Sequence, residues 1–116
     1  MKLFKSLLFV LFVQATTFAQ EGDSEIVYGS ATSTENCCIT LDASSPIQEY
    51  YKADLSVFGF ENEAAAEKLM GFKSNNLVSL KADYANNVML IRIHTDRTST
   101  PNDIVWWNDY LKSICK

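Results

Sequence analysis

The chain has few of the residues that build catalytic and metal sites, since its 116 residues include one histidine and three cysteines. Basic residues are also scarce, with 10 lysines and arginines against 14 acidic residues and a formal net charge of −4. Nucleic acids and anionic membrane surfaces attract clustered lysine and arginine. The composition therefore argues against both as partners.

Long apolar runs are absent as well. A helix needs about 20 apolar residues to cross a bilayer, and the longest run covers only residues 7–13. Lys2 and Lys5 precede this run. Thr17-Phe18-Ala19 follows it and ends in the small residue that a signal peptidase needs, as in a secretory signal peptide. We expect residues 1–19 to be a cleaved signal peptide, the protein to be secreted or periplasmic, and no membrane span to remain after cleavage. The exported chain would keep 8 basic residues against 14 acidic ones.

The three cysteines form a vicinal pair, Cys37-Cys38, and a single Cys115 near the C-terminus. In an oxidising compartment we expect one disulfide between a member of the pair and Cys115. Free thiols and metal binding stay open as alternatives, because one cysteine is left over. A bridge to Cys115 would staple the N-terminal segment to the last helix.

The spacing of apolar residues predicts a flexible N-terminal segment over residues 20–36, with one short strand at 26–28, followed by a single α+β domain over 37–116. Four further strands are predicted over 38–41, 50–60, 77–84 and 88–95, and helices over 61–73 and from residue 100 to the end. Asn62 is expected to cap the first helix, and Thr100 the second, with Pro101 at its first position. Asn86-Asn87 predicts a tight hairpin turn.

The order strand, helix, strand, strand, helix is typical of a ferredoxin-like sandwich, an antiparallel sheet with two helices on one face. That fold normally closes with one more strand, and here the chain stops at Lys116. We expect the N-terminal segment, through residues 38–41 or 26–28, to replace the missing strand beside residues 50–60. A strand from a second molecule could do the same.

Residues 53–115 resemble the heavy-metal-associated domain of copper chaperones and metal-pumping ATPases. In that family the first strand runs into a Gly-Met-x-Cys-x-x-Cys loop, whose thiolates bind Cu(I) at the start of the helix. This chain has Gly59-Phe60-Glu61-Asn62-Glu63-Ala64-Ala65 there, with Asn62 and Ala65 at the ligand positions. The resemblance therefore implies the frame of that domain without its metal loop, because neither residue offers a thiolate.

Cys37, Cys38 and His94 are the remaining candidates for chemistry. Thiolate and imidazole ligands suit copper or zinc, so a soft-metal protein is the alternative hypothesis, although no cofactor is our first expectation. His94 is predicted to be a surface residue on the sheet face away from the helices. No serine or cysteine can be tied to it as a nucleophile from the sequence, so we predict no catalytic site.

Apolar side chains predict a surface for a partner. If the helices cover one sheet face, the other would carry Phe58, Phe60, Val88 and Leu90, which is too apolar to stay bare. Trp106 and Tyr110 lie one turn apart on the last helix and would form an aromatic ledge. Our hypothesis is an exported, non-enzymatic binding or adaptor domain that contacts a protein partner, or itself, through a sheet edge or the open face.

Overall fold

The computed structural model describes residues 26–115, so the predicted signal peptide and residues 20–25 lie outside the described part of the chain. The elements are β1 (Gly29–Ser33), β2 (Ile39–Leu41), β3 (Tyr50–Asp54), α1 (Glu63–Lys73), β4 (Val78–Asp83), β5 (Val88–Ile93) and α2 (Ile104–Ser113), with a short 3-10 helix at Ser56–Phe58. Within residues 26–115, no helix is both long and apolar enough to cross a membrane.

The five strands form one sheet in the order β2-β1-β3-β5-β4. β1 runs parallel to β3, and the other neighbours are antiparallel. The sheet is therefore mixed, and the prediction of a purely antiparallel sheet is wrong. The parallel pair arises because β2 turns back along the outer side of β1. The chain then crosses over to the inner side of β1, and β3 starts there in the same direction as β1.

The strand beside β3 is Gly29–Ser33, which lies inside the segment predicted to be flexible and matches neither of the two predicted partner segments. Residues 26–28 precede this strand, and Ile39–Leu41 pairs on its far side. Gly29 meets the parallel partner at close range, because a Cβ there would lie 2.6 Å from the ring of Tyr51. Glycine is what lets the two strands pair at that point.

Both helices begin at a capping side chain. Asn62 caps α1 as predicted, and its Oδ1 accepts a hydrogen bond from the N–H of Ala65 at 2.9 Å. The predicted cap of α2 is wrong, because the helix starts three residues later than Pro101. Asp103 takes the capping position there, with its Oδ1 accepting from the N–H of Trp106 at 2.9 Å.

The core lies between the helices and one face of the sheet. Alternate residues of every strand point into it, as expected for a sheet with one buried face. The helices contribute Ala66, Met70, Trp107 and Leu111. The largest fully buried side chains are Trp107, Tyr51, Leu41, Leu55, Met70, Met89, Ile91 and Ile93.

The strand predicted over residues 50–60 ends early, at Asp54. The Asp54 carboxylate accepts hydrogen bonds from the N–H and the hydroxyl of Ser56, at 2.9 and 2.7 Å, which turns the chain into the 3-10 helix. Phe58 and Phe60 then stack on each other with ring centroids 5.1 Å apart and pack against the core. Their predicted position on the second sheet face is therefore wrong.

Candidate functional site: the open face of the sheet

The sheet side opposite the helices, called the open face below, carries the side chains that alternate with the core positions. The strand register arranges those of β3, β5 and β4 in three rows: Tyr50, Arg92 and Ser79; Lys52, Leu90 and Lys81; and Asp54, Val88 and Asp83. Val88 and Leu90 are half-buried on this face. The two lysines flank Leu90, and two acids flank Val88, so positive and negative charge lie in separate rows.

Tyr28, in the segment before β1, lies over the open face. Its ring stacks on that of Tyr50 with centroids 5.9 Å apart and planes 20° apart. The Nζ of Lys52 is 4.9 Å from the centroid of Tyr28, and the guanidinium carbon of Arg92 is 5.6 Å from that of Tyr50. Such cation–π contacts contribute about 0.5–1 kcal/mol each at exposed sites. These four residues form what we call the tyrosine–cation cluster.

The charges of the open face are only partly neutralised. The Arg92 Nη2 lies 2.8 Å from a Glu49 carboxylate oxygen, and both side chains are about half exposed. This is the one ion pair within 4 Å found among residues 26–115, so Lys52 and Lys81 have no carboxylate partner in that range. Hydrogen bonds from Ser56 lower the pKa of Asp54, which keeps that acid ionised at the far end of the face.

Leu90 separates two open grooves on this face. The larger, of about 670 Å³, is lined by Ile26, Tyr28, Gly29, Ser30, Lys52, Asp83 and Leu90. The smaller, of about 290 Å³, is lined by Tyr28, Tyr50, Ser79, Leu80, Lys81, Leu90, Ile91 and Arg92. Small-molecule sites usually enclose most of their ligand. Two open grooves side by side suit an extended chain laid across the strands better than a small ligand.

The outer edge of β2 is covered by a side chain from α2. The backbone N–H and C=O of Leu41 point away from β1, and both bond to the Asn108 amide, at 2.8 Å to Oδ1 and 3.1 Å from Nδ2. Asn108 thus occupies the position that a neighbouring strand would take. No local pattern indicates this contact, because Asn108 and Leu41 are 67 residues apart in the chain.

The outer edge of β4 is covered in the same way by the residues after α1. Asn75 bonds to both backbone groups of Val78, with N–O distances of 2.9 and 2.8 Å. The Ser74 hydroxyl accepts from the N–H of Leu80 at 2.8 Å and lies 3.3 Å from its C=O. With β1 already beside β3, the free edge predicted next to residues 50–60 is not present, and strand addition is hindered at both outer edges.

His94 is buried rather than exposed, with 5% of its surface accessible, so the prediction of a surface residue is wrong. Its Nε2 lies 2.7 Å from the Oγ of Ser79, a partner that the sequence alone could not assign. Desolvation, followed by the charges of Arg97 and Arg92, lowers the pKa of His94 and favours the neutral ring. Within residues 26–115 no carboxylate hydrogen-bonds to this ring, so the serine–histidine pair lacks the third group that orients a catalytic base.

Cys38 and Cys115 form a disulfide, which confirms the predicted bridge to the C-terminal end. Cys37 keeps a free thiol that is half-buried, and burial raises its pKa. It adopts a left-handed backbone conformation with φ 63° instead of lying in a strand. Because Cys38 is bonded to Cys115 and His94 to Ser79, the structure does not bring Cys37, Cys38 and His94 together, and residues 26–115 hold no group of three ligating side chains suited to a metal ion.

Trp106 and Tyr110 contact each other on α2, with ring centroids 5.6 Å apart and planes 3° apart. This is a stacked pair, in which one face of each ring is covered by the other ring. Trp106 also meets the buried Trp107 edge to face at 5.0 Å. Tyr110 packs against the hydrophobic core, whereas Trp106 is about one third exposed, at 37%.

No protein-family model matches this chain, and neither the curated proteins nor the solved structures include a significant match to it. The open face is consequently described by its own chemistry: two stacked tyrosines, three cations and a central leucine beside two open grooves.

Proposed function

We propose that this protein is an exported, non-enzymatic binding domain that takes a protein partner on the open face of its sheet. The observation that carries the proposal is that the open face keeps an aromatic and cationic surface around Leu90, while the opposite face is covered by helices and the outer edges by Asn108, Ser74 and Asn75. Tyrosine and arginine are enriched where proteins bind one another.

The topology supports a ferredoxin-like frame for this proposal. β3, α1, β4, β5 and α2 follow the order of that fold, and β1 stands beside β3 where the closing strand would pair, although in parallel orientation. The helix start that would hold the metal loop in the heavy-metal-associated domain is occupied by Asn62 as a backbone cap. That arrangement supports a frame used for binding without the family's metal chemistry. The Cys38–Cys115 disulfide suits an oxidising compartment and so supports export.

The test compares the wild-type chain with a double variant of the open face, Tyr50→Ser with Leu90→Thr. Both residues are only half-buried, so the fold should survive their replacement. Phe72→Ser is the matched control, because Phe72 on α1 is 79% exposed and lies on the helical side. Each protein is used as bait for exported proteins of the source organism, and its mass in solution is measured by size exclusion with light scattering.

A partner that binds the wild type and the Phe72→Ser variant, but not the open-face variant, supports the proposal. Self-association that shows the same pattern supports it as well. If the wild type is a strict monomer that retains no protein, or if the open-face variant binds as the wild type does, the proposal is wrong.

A further inference from the structure

The chain enters the described structure at the rim of the open face. Ile26 lines the larger groove with Lys52, Leu90 and Asp83. Lys52 on β3 and Lys81 on β4 are two strand spacings apart across Leu90, or about 10 Å. Six residues span up to about 20 Å when extended. The six residues that precede Ile26 are therefore long enough to reach both lysines.

Those six residues, Gln20-Glu21-Gly22-Asp23-Ser24-Glu25, contain three acids and no base, and we call them the acidic segment. The acids occupy alternate positions. In an extended chain, alternate side chains point to the same side. The sequence can thus present three carboxylates together to a surface whose two lysines have no carboxylate partner among the described residues.

We propose that the acidic segment is the resident occupant of the open face in the same molecule, lying across the row of Lys52, Leu90 and Lys81. This inference rests on the proposed function and adds its regulation, because the segment would compete with an outside partner. Asp54 and Asp83 would repel the carboxylates and keep the segment away from the third row. Pairs of exposed charges are weak and sensitive to salt, but the short tether holds the segment at a high local concentration.

Neutralising the acidic segment tests the inference without touching the described fold. The variant Glu21→Gln, Asp23→Asn, Glu25→Gln is compared with the wild-type exported chain by NMR. The matched control, Glu61→Gln, Glu67→Gln, Asp109→Asn, changes the net charge equally at exposed positions outside the open face.

We expect the side-chain signals of Lys52, Lys81 and Leu90 to shift in the neutralised variant and to stay in place in the control. About 1 M salt, where the screening length is about 3 Å, should move the wild-type signals in the same direction. A synthetic peptide with the sequence of residues 20–25 should bind the neutralised variant about two- to tenfold more tightly than the wild type, since its resident competitor is weakened.

Unchanged lysine signals in the neutralised variant, or equal peptide affinity for the two proteins, would overturn the inference. So would signal shifts that appear only as the protein concentration rises, because the segment would then bind a second copy. These results leave the proposed function standing if the open-face variant still loses its partner. Conversely, a protein without any partner can still show the resident contact, so the two failures are distinguishable.

Discussion

Removing the disulfide should lower stability by a large and calculable amount. Cys38 and Cys115 are 77 residues apart in the chain, so the bridge closes a loop that contains every strand and helix of the fold except β1. The loop-closure entropy of such a loop corresponds to about 4.5 kcal/mol at 25 °C. A domain of this size has about 5–15 kcal/mol of stability in total. Cys115→Ser should therefore take away a large share of it.

Urea unfolding, followed by circular dichroism, measures this difference. Cys115→Ser is preferred to Cys38→Ser, because Cys37 could replace Cys38 as the partner of Cys115. Cys37→Ser is the control and should change the free energy of unfolding by less than about 1 kcal/mol, since its thiol is free and only half-buried. The m-value of Cys115→Ser should rise, because the unfolded chain expands without its cross-link. If Cys115→Ser stays within about 1 kcal/mol of the wild type, the reasoning fails.

Three further perturbations test single contacts of the fold. Asn108→Ala removes both hydrogen bonds to Leu41 and should cost about 1–2 kcal/mol in urea unfolding; a change below about 0.3 kcal/mol would show that the edge of β2 does not depend on this amide. Asn62→Ala should cost about 1 kcal/mol through the lost helix cap, and an unchanged midpoint would refute that role. Burial lowers the pKa of His94 in the folded protein. As the pH drops from about 7, the unfolded chain therefore binds a proton at His94 before the folded protein does, and the free energy of unfolding should fall until the pH has passed the folded-state pKa. His94→Gln should flatten this fall, and equal slopes for the two proteins would contradict the assignment.

Local sequence patterns predicted most of the elements, although not β1 or the start of α2, because their signals lie within a few residues of the chain. The alternation in residues 77–84 and 88–95 locates β4 and β5 to within one or two residues, and Asn62 marks the start of α1. The early end of β3 was missed because the apolar run through Phe60 continues past Asp54. The side-chain turn at Asp54 outweighs that run, since it supplies two hydrogen bonds at once.

Long-range pairing was beyond reach for a physical reason. β1 contains small and hydroxylated residues, Gly29-Ser30-Ala31-Thr32-Ser33, so it has almost no hydrophobic alternation to detect. β1 belongs to the sheet because it pairs with β2 on one side and with β3 on the other, and this pairing exists only in the assembled fold. The contact between Tyr28 and Lys52 could not be predicted for the same reason, because the two residues are far apart in the sequence and meet only in the folded structure. Only the strand register shows that Lys52 shares a face with Lys81.

A sheet of five strands has two outer edges, and each exposes backbone groups that attract foreign strands. Here Asn108, Asn75 and Ser74 bond to the backbone groups at Leu41, Val78 and Leu80, so a partner strand would first have to break these hydrogen bonds. The open face carries no comparable barrier: its lysines lack carboxylate partners among the described residues, and its grooves are open. Binding there would add contacts without removing any hydrogen bond of the fold. We therefore expect substitutions on the open face to act mainly on binding, with a loss of stability limited to about 0.5–1 kcal/mol for each cation–π contact removed, and substitutions at the edge caps to act mainly on stability.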